Sequence, residues 1–288
     1  MMKKLLSSVL LGASVLALAA CGTDDKSTTG SEIEKETDGG ATEPTTLVVG
    51  ASNTPHAVIL EQVQPILEKQ GIELEIETYQ DYVLPNQDLE SGDLDANYFQ
   101  HIPYFEGQKA EFNYDFANAG GIHIEPIGIY SEKYASLEEL PEGATILLSN
   151  SVADHGRMLS LLEAQGLIKL AEGIDKTAAE IKDIAENPKN FVFDYDLAPE
   201  MLVQMYKNGE GDAVLINSNF AIDNGINPLE DAIAIESGDS PYVNIIAVQS
   251  GDENSEEIKA LVEALHSQEI QDFIVEEWGG SVVPVDGE

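Results

Sequence analysis

Short apolar runs alternate with amphipathic stretches from about residue 47 onward. Leu47-Val48-Val49 leads through Ser52-Asn53-Thr54 into a helix opened by Pro55, a position where the missing amide hydrogen costs nothing. Ile59, Leu60, Val63, Ile66 and Leu67 then recur at helical spacing, and Gly71 stands where the helix should stop. Ile72, Leu74 and Ile76 alternate with Glu73, Glu75 and Glu77, which predicts a strand with one wet face. Strands are also expected over 122–130, 144–148, 213–216 and 244–248, and helices over 154–165, closed by Gly166, and 255–265. This alternation, with no internal repeat, predicts an α/β fold in which helices cover parallel sheets. In such folds ligands sit beyond the carboxyl ends of strands, so the segments that directly follow strands carry the functional information.

The first 46 residues follow a different pattern. Lys3 and Lys4 precede an apolar run of 16 residues, Leu5 to Ala20. That run is short for a membrane-spanning helix, which needs roughly 20 apolar residues. With its basic start and small-residue finish it reads as a secretory signal. Leu18-Ala19-Ala20-Cys21 resembles a bacterial lipoprotein cleavage site, and Cys21 is the only cysteine in 288 residues. The expectation is therefore a signal peptide over 1–20, a lipidated Cys21, and a flexible acidic linker to residue 46. The protein would sit on the extracytoplasmic side of the cell membrane, held by lipid alone.

Charge narrows the function. The whole chain carries −39, and loss of residues 1–20 with their two lysines makes it −41. Such a chain has no basic stripe with which to displace counterions from nucleic acid. It would not lie electrostatically on an anionic membrane either. With Cys21 committed to lipid, neither a disulfide nor a thiolate zinc site can form. No nucleophile elbow, metalloprotease helix or dinucleotide-binding loop is present, so the chain does not read as an enzyme and no cofactor is expected. His56, His101, His123 and His155 lie too far apart in sequence to match a local metal-ligand signature.

Three groups of residues could bind a small molecule. Arg157, the sole arginine, opens a helix after the Ile146-Leu147-Leu148 strand, where a guanidinium can take a carboxylate bidentately. As a binding residue rather than a core residue, its removal should leave the ligand-free melting temperature almost unchanged. Phe99, His101 and Tyr104, in an aromatic cluster preceded by Asp81-Tyr82-Val83, combine apolar rings with polar tips and could wall a pocket for an apolar, polarisable side chain; a thioether sulfur packs well against ring edges. Asn217 and Asn244 lie at strand ends, and their amides, donor and acceptor at once, suit a zwitterionic amino acid.

Together with Thr54-Pro55-His56-Ala57, Asp95-Ala96-Asn97-Tyr98-Phe99-Gln100-His101, Ala185-Glu186-Asn187-Pro188-Lys189-Asn190 and Ser240-Pro241-Tyr242-Val243-Asn244, these residues give the chain from about Leu47 to Pro284 a specific resemblance. It resembles the methionine-binding lipoproteins of bacterial ABC importers, the MetQ type within the NlpA lipoprotein family. The resemblance implies a two-domain periplasmic-binding-protein fold (type II, Venus-flytrap) with a ligand cleft between the domains. Domain I would take residues 47–123 and 240–288, and domain II residues 124–239. It further implies that Tyr82, Phe99, His101 and Tyr104 surround the ligand side chain, that Arg157 holds the α-carboxylate, and that Asn217 and Asn244 bind the polar backbone atoms. The implied partners are methionine, L- or D-, and an ABC permease with its ATPase. Another amino acid, a small peptide or a metal ion remains the alternative cargo. One stretch departs from the family, which usually reads Asn-Asp-Pro-Thr-Asn-x-Gly-Arg. This chain has Asn150-Ser151-Val152-Ala153-Asp154-His155-Gly156-Arg157, placing an acid and a histidine beside the arginine.

Overall fold

A computed structural model describes residues 44–286; the leader, Cys21 and most of the acidic linker lie outside the described residues. β1 (Thr45–Ser52), β2 (Ile72–Tyr79), β3 (Ala96–His101), β4 (Phe116–Ile124), β12 (Val243–Gln249) and β13 (Val283–Pro284) form a six-stranded sheet in the order β13-β4-β12-β3-β1-β2. The alternation read from Ile72 onward is real: β2 buries Ile72 and Leu74 and exposes the glutamates between them. Helix α1 (Val58–Glu68) lays Ile59, Leu60, Val63 and Leu67 against this sheet. Two C-terminal helices, Glu256–Leu265 and Gln268–Trp278, add Leu261, Leu265, Ile270 and Ile274 to the same core. Each such side chain contributes about 1.5–3 kcal/mol by leaving water.

A second sheet of five strands has its own core. β5 (Gly128–Tyr130), β6 (Thr145–Ser149), β9 (Val192–Leu197), β10 (Ala213–Ile216) and β11 (Ala234–Ile235) run in the order β11-β5-β10-β6-β9. Ile127, Ile129, Ile146, Leu148 and Leu215 pack against Leu159 and Leu162 of the helix Val152–Ala164. A small ribbon pairs β7 (Lys169–Leu170) with β8 (Ile184–Glu186) at the side. Among the described residues no helix is long and apolar enough to cross a membrane.

Three sequence expectations are corrected. The sheets are mixed rather than parallel: β1 runs parallel to β2 and β3, and β6 parallel to β9 and β10, but β12 is antiparallel to both β3 and β4. The reason is topological, because β12 returns from the second sheet and enters the first from the opposite end. The stretch 122–130 is not one strand. β4 ends at Ile124, β5 begins at Gly128 in the other sheet, and Glu125-Pro126-Ile127 makes the crossing. Pro126 lacks the hydrogen a continuing ladder needs. Finally, α1 starts at Val58 and not at Pro55. Thr54 is extended (φ −136°, ψ 133°), as a residue before proline prefers, and a π-type turn over Asn53–Ala57 precedes the helix. Gly71 stops the segment as expected, at φ +81°.

Candidate functional site

The crossing at Glu125 leaves the ends of β3, β10 and β12 and the start of the helix Val152–Ala164 facing one another. Tyr82, Phe99, His101, Tyr104, Arg157, Asn217 and Asn244, the seven side chains selected from the sequence, all line one pocket there. The empty space among these side chains, including the part open to solvent, is about 360 Å³. Phe99, His101, Arg157, Asn217 and Asn244 are each buried to below a tenth of their surface. Cys21 lies outside the described residues.

One end of the pocket is aromatic. The rings of Tyr82, Phe99 and Tyr104 form a triangle with centroid separations of 5.9–6.0 Å. Hydrogen bonds fix the two phenols. Tyr82 donates to Asn219 Oδ1 at 2.7 Å, and Tyr104 donates to the Tyr82 main-chain oxygen at 2.7 Å. β3 is buried along its full length, which is why its polar residues must find partners. Asn86, Asn97 and Gln100 satisfy one another through side-chain hydrogen bonds of 2.8–3.1 Å.

His101 caps the helix Ile102–Phe112, its Nδ1 accepting the Tyr104 main-chain N–H at 3.1 Å. The ring proton therefore sits on Nε2, which donates to Asp154 Oδ1 at 2.9 Å. This bond ties the first sheet to the helix that follows β6. Burial works against the Asp154 charge, but the His101 hydrogen bond and the nearby His101 and Arg157 hold its carboxyl below the usual range. Of the residues that depart from the family pattern, Asp154 thus faces the pocket. His155 turns away and bonds the Ser149 main-chain oxygen at 2.9 Å.

Arg157 is not the free fork that the sequence suggested. Its Nη2 donates to the Glu125 main-chain oxygen at 2.7 Å and to Glu236 Oε2 at 2.5 Å, and its guanidinium stacks 4.7 Å from the Tyr242 ring centroid. It is 3% exposed, so it supports the folded structure as well as lining the pocket, and the expectation of an unchanged melting temperature is corrected. Burial disfavours its charge, but Glu236 and Asp154 raise its pKa overall. Its Nε has no partner, and neither does Asn217 Oδ1. An unused donor and an unused acceptor thus line the same pocket, complementary to a molecule that carries both an anion and a hydrogen-bond donor.

Sequence reasoning missed Glu125, Asn219 and Glu236. Asn219 stands two residues after Asn217, and Glu125 directly follows β4, so the rule about strand ends could have reached both. Glu236 carries no local signal among 53 acids.

Residues 47–286 match the family model described as NlpA lipoprotein. The chain is 47% identical to the methionine-binding lipoprotein MetQ of Bacillus subtilis over 286 residues, covering 99% of each. A crystal structure of a pheromone cOB1 precursor/lipoprotein of the YaeC family from Enterococcus faecalis is similar at 56% identity and a TM-score of 0.82, covering 84% of this chain and all of that one. A nutrient-binding protein from Burkholderia cenocepacia, solved bound to methionine, is similar at 40% identity and a TM-score of 0.79, covering 83% of this chain and all of that one.

Proposed function

The chain belongs to the NlpA lipoprotein family, with that family's two-domain type II fold, and from this premise we propose that it captures methionine outside the cell membrane and hands it to an ABC permease driven by its ATPase. The observation that carries the reading is the division of the pocket, with an aromatic triangle at one end and the unused polar atoms of Arg157 and Asn217 elsewhere on its wall. In this reading Tyr82, Phe99, His101 and Tyr104 enclose the thioether side chain. Ring edges attract sulfur and exclude water, and burial at about 25 cal/mol per Å² supplies most of the affinity. Arg157 Nε and its remaining hydrogens hold the α-carboxylate. Asn244 spends its Oδ1 on His56 Nε2 at 3.0 Å, so its amide nitrogen is the group left to donate to the ligand.

In the same reading domain I takes residues 47–123 and 240–288 and domain II residues 124–239, with the changeovers near the Glu125 crossing and before β12. Tyr82–Asn219 and His101–Asp154 would then close the cleft over the ligand. The protein is a carrier rather than an enzyme. Cys21 carries the lipid that holds it on the extracytoplasmic face. Mass spectrometry of the protein as purified tests the reading: methionine released on denaturation supports it, and a different stoichiometric small molecule overturns it.

A further inference from the structure

Glu125 is a buried carboxylate with no permanent cation paired to its side chain. It lines the pocket at 5% exposure. Its Oε1 lies 2.8 Å from His123 Nε2 and 3.3 Å from His56 Nε2. The Tyr98 hydroxyl contacts His123 Nδ1. Because a phenol has its proton to give, that contact leaves the His123 proton on Nε2, aimed at Glu125. His56 Nε2 faces two acceptors, Glu125 and Asn244 Oδ1, and so carries its proton as well. Both imidazoles are neutral, since burial lowers their pKa values to about 4 for His56 and about 3 for His123. Arg157, the only guanidinium in the chain, contacts the Glu125 main chain and pairs with Glu236.

The carboxylate is therefore aimed by hydrogen bonds from His123 and from the Asn219 main chain, with His56 beside it at 3.3 Å, and is neutralised by none of them. Burial pushes the Glu125 carboxyl up. Asp154 in the same pocket is held down. A buried charge needs an opposite charge or a metal, and here the open side is the pocket. A metal fits poorly. Donor atoms of His56, His123 and Glu125 lie within 4.8 Å of one another, but the two nitrogens that face Glu125 carry protons where a metal needs lone pairs.

We propose that Glu125 is the receptor for the ligand's α-ammonium group, with His56 and His123 as the positioning pair that aims its carboxylate and Asn217 Oδ1 as a second acceptor. The site then selects amino acids with a free α-amino group and rejects N-acylated ones. This rests on the methionine reading above.

Calorimetry on the full-length protein tests it with three ligands: methionine, N-acetylmethionine, and (methylthio)butyrate, which keeps the thioether and carboxylate without the amine. The wild type should prefer methionine over both by roughly a hundredfold or more. Glu125→Gln should weaken methionine roughly thirtyfold or more and (methylthio)butyrate by less than about threefold, collapsing the preference. His123→Ala should lower the same ratio part of the way, whereas a purely structural residue would weaken both ligands alike. Equal losses on Glu125→Gln, or none, overturn the proposal. So does N-acetylmethionine binding the wild type as tightly as methionine, a result that needs no variant to fold. Zinc that binds the wild type, competes with methionine and fails to bind Glu125→Gln overturns it in favour of a metal. A wild type that binds another amino acid and not methionine overturns only the preceding reading, and the proposal is then judged on that amino acid and its deamino form.

Discussion

Removing Arg157 should damage both affinity and fold, and the two effects can be separated. Arg157→Ala takes away the guanidinium that meets the ligand carboxylate in a desolvated cleft. Truncating one partner of a buried charge pair costs about 2–4 kcal/mol, roughly 30-fold to nearly 1,000-fold in Kd. The same substitution strands Glu236, whose side chain is 14% exposed, and leaves the Glu125 carbonyl without its 2.7 Å donor. Breaking a fully buried pair costs about 3–5 kcal/mol, and the partial exposure of Glu236 puts this case near the lower end. For a body of this size about 3 kcal/mol lowers Tm by roughly 6–12 °C. Arg157→Lys keeps a charge but loses the fork, and should recover part of each loss. Glu236→Gln serves as the control, since it keeps an acceptor for Arg157 while removing the competing carboxylate. It should lower Tm less than Arg157→Ala does and leave methionine binding at least as tight. Isothermal titration of each variant at a temperature where all are folded supplies the affinities, and calorimetric melting without ligand supplies the stabilities. Arg157→Ala binding methionine within about threefold of wild type would refute the clamp; an unchanged Tm would refute the structural tie to Glu236.

Other expectations follow from single features. Phe99→Ala opens one corner of the aromatic triangle and should cost methionine about 1–3 kcal/mol while affecting alanine much less; equal losses by titration would make Phe99 a fold residue only. Acid should destabilise the protein through the buried histidines. Their folded pKa values, about 4 and about 3, lie below the ordinary 6.5, so between those limits the unfolded chain binds more protons and stability falls as pH drops. Glu125, pushed up by burial, acts in the opposite sense just above its ordinary 4.5. For His56 alone the loss from pH 7 to 4 is about 3 kcal/mol, and His56→Asn should flatten the urea-unfolding profile over that window; an unchanged slope would contradict it. Cys21→Ser should release the protein from the membrane fraction or leave it unprocessed, and retention equal to wild type would exclude lipid as the sole anchor.

That Tyr82, Phe99, His101, Tyr104, Arg157, Asn217 and Asn244 line one pocket was legible because aromatic and polar residues in or beside strands stand out against apolar runs. Their partners were not. Arg157 reads as a free cation in sequence because Glu236, 79 positions away, is one acid among many. His56 read as unrelated to His123 and Glu125, which stand two residues apart, because only the arrangement of the sheet and the turn after β1 bring it to them. The 122–130 run read as one strand because periodicity cannot tell a strand that continues from two strands in different sheets joined through Pro126. What escaped the sequence is therefore long-range pairing, the part of the fold that depends on which sheet each strand joins.

In the proposed function this pocket holds methionine. Isothermal titration of the detergent-solubilised protein, stripped of any carried ligand by unfolding and refolding, tests it most directly. One methionine per chain is expected, with the folded state stabilised by about 2.7 kcal/mol at a hundredfold excess over Kd, and alanine and N-acetylmethionine binding far more weakly. A refolded protein that gives no heat with either enantiomer of methionine, yet saturates with another solute, would contradict it.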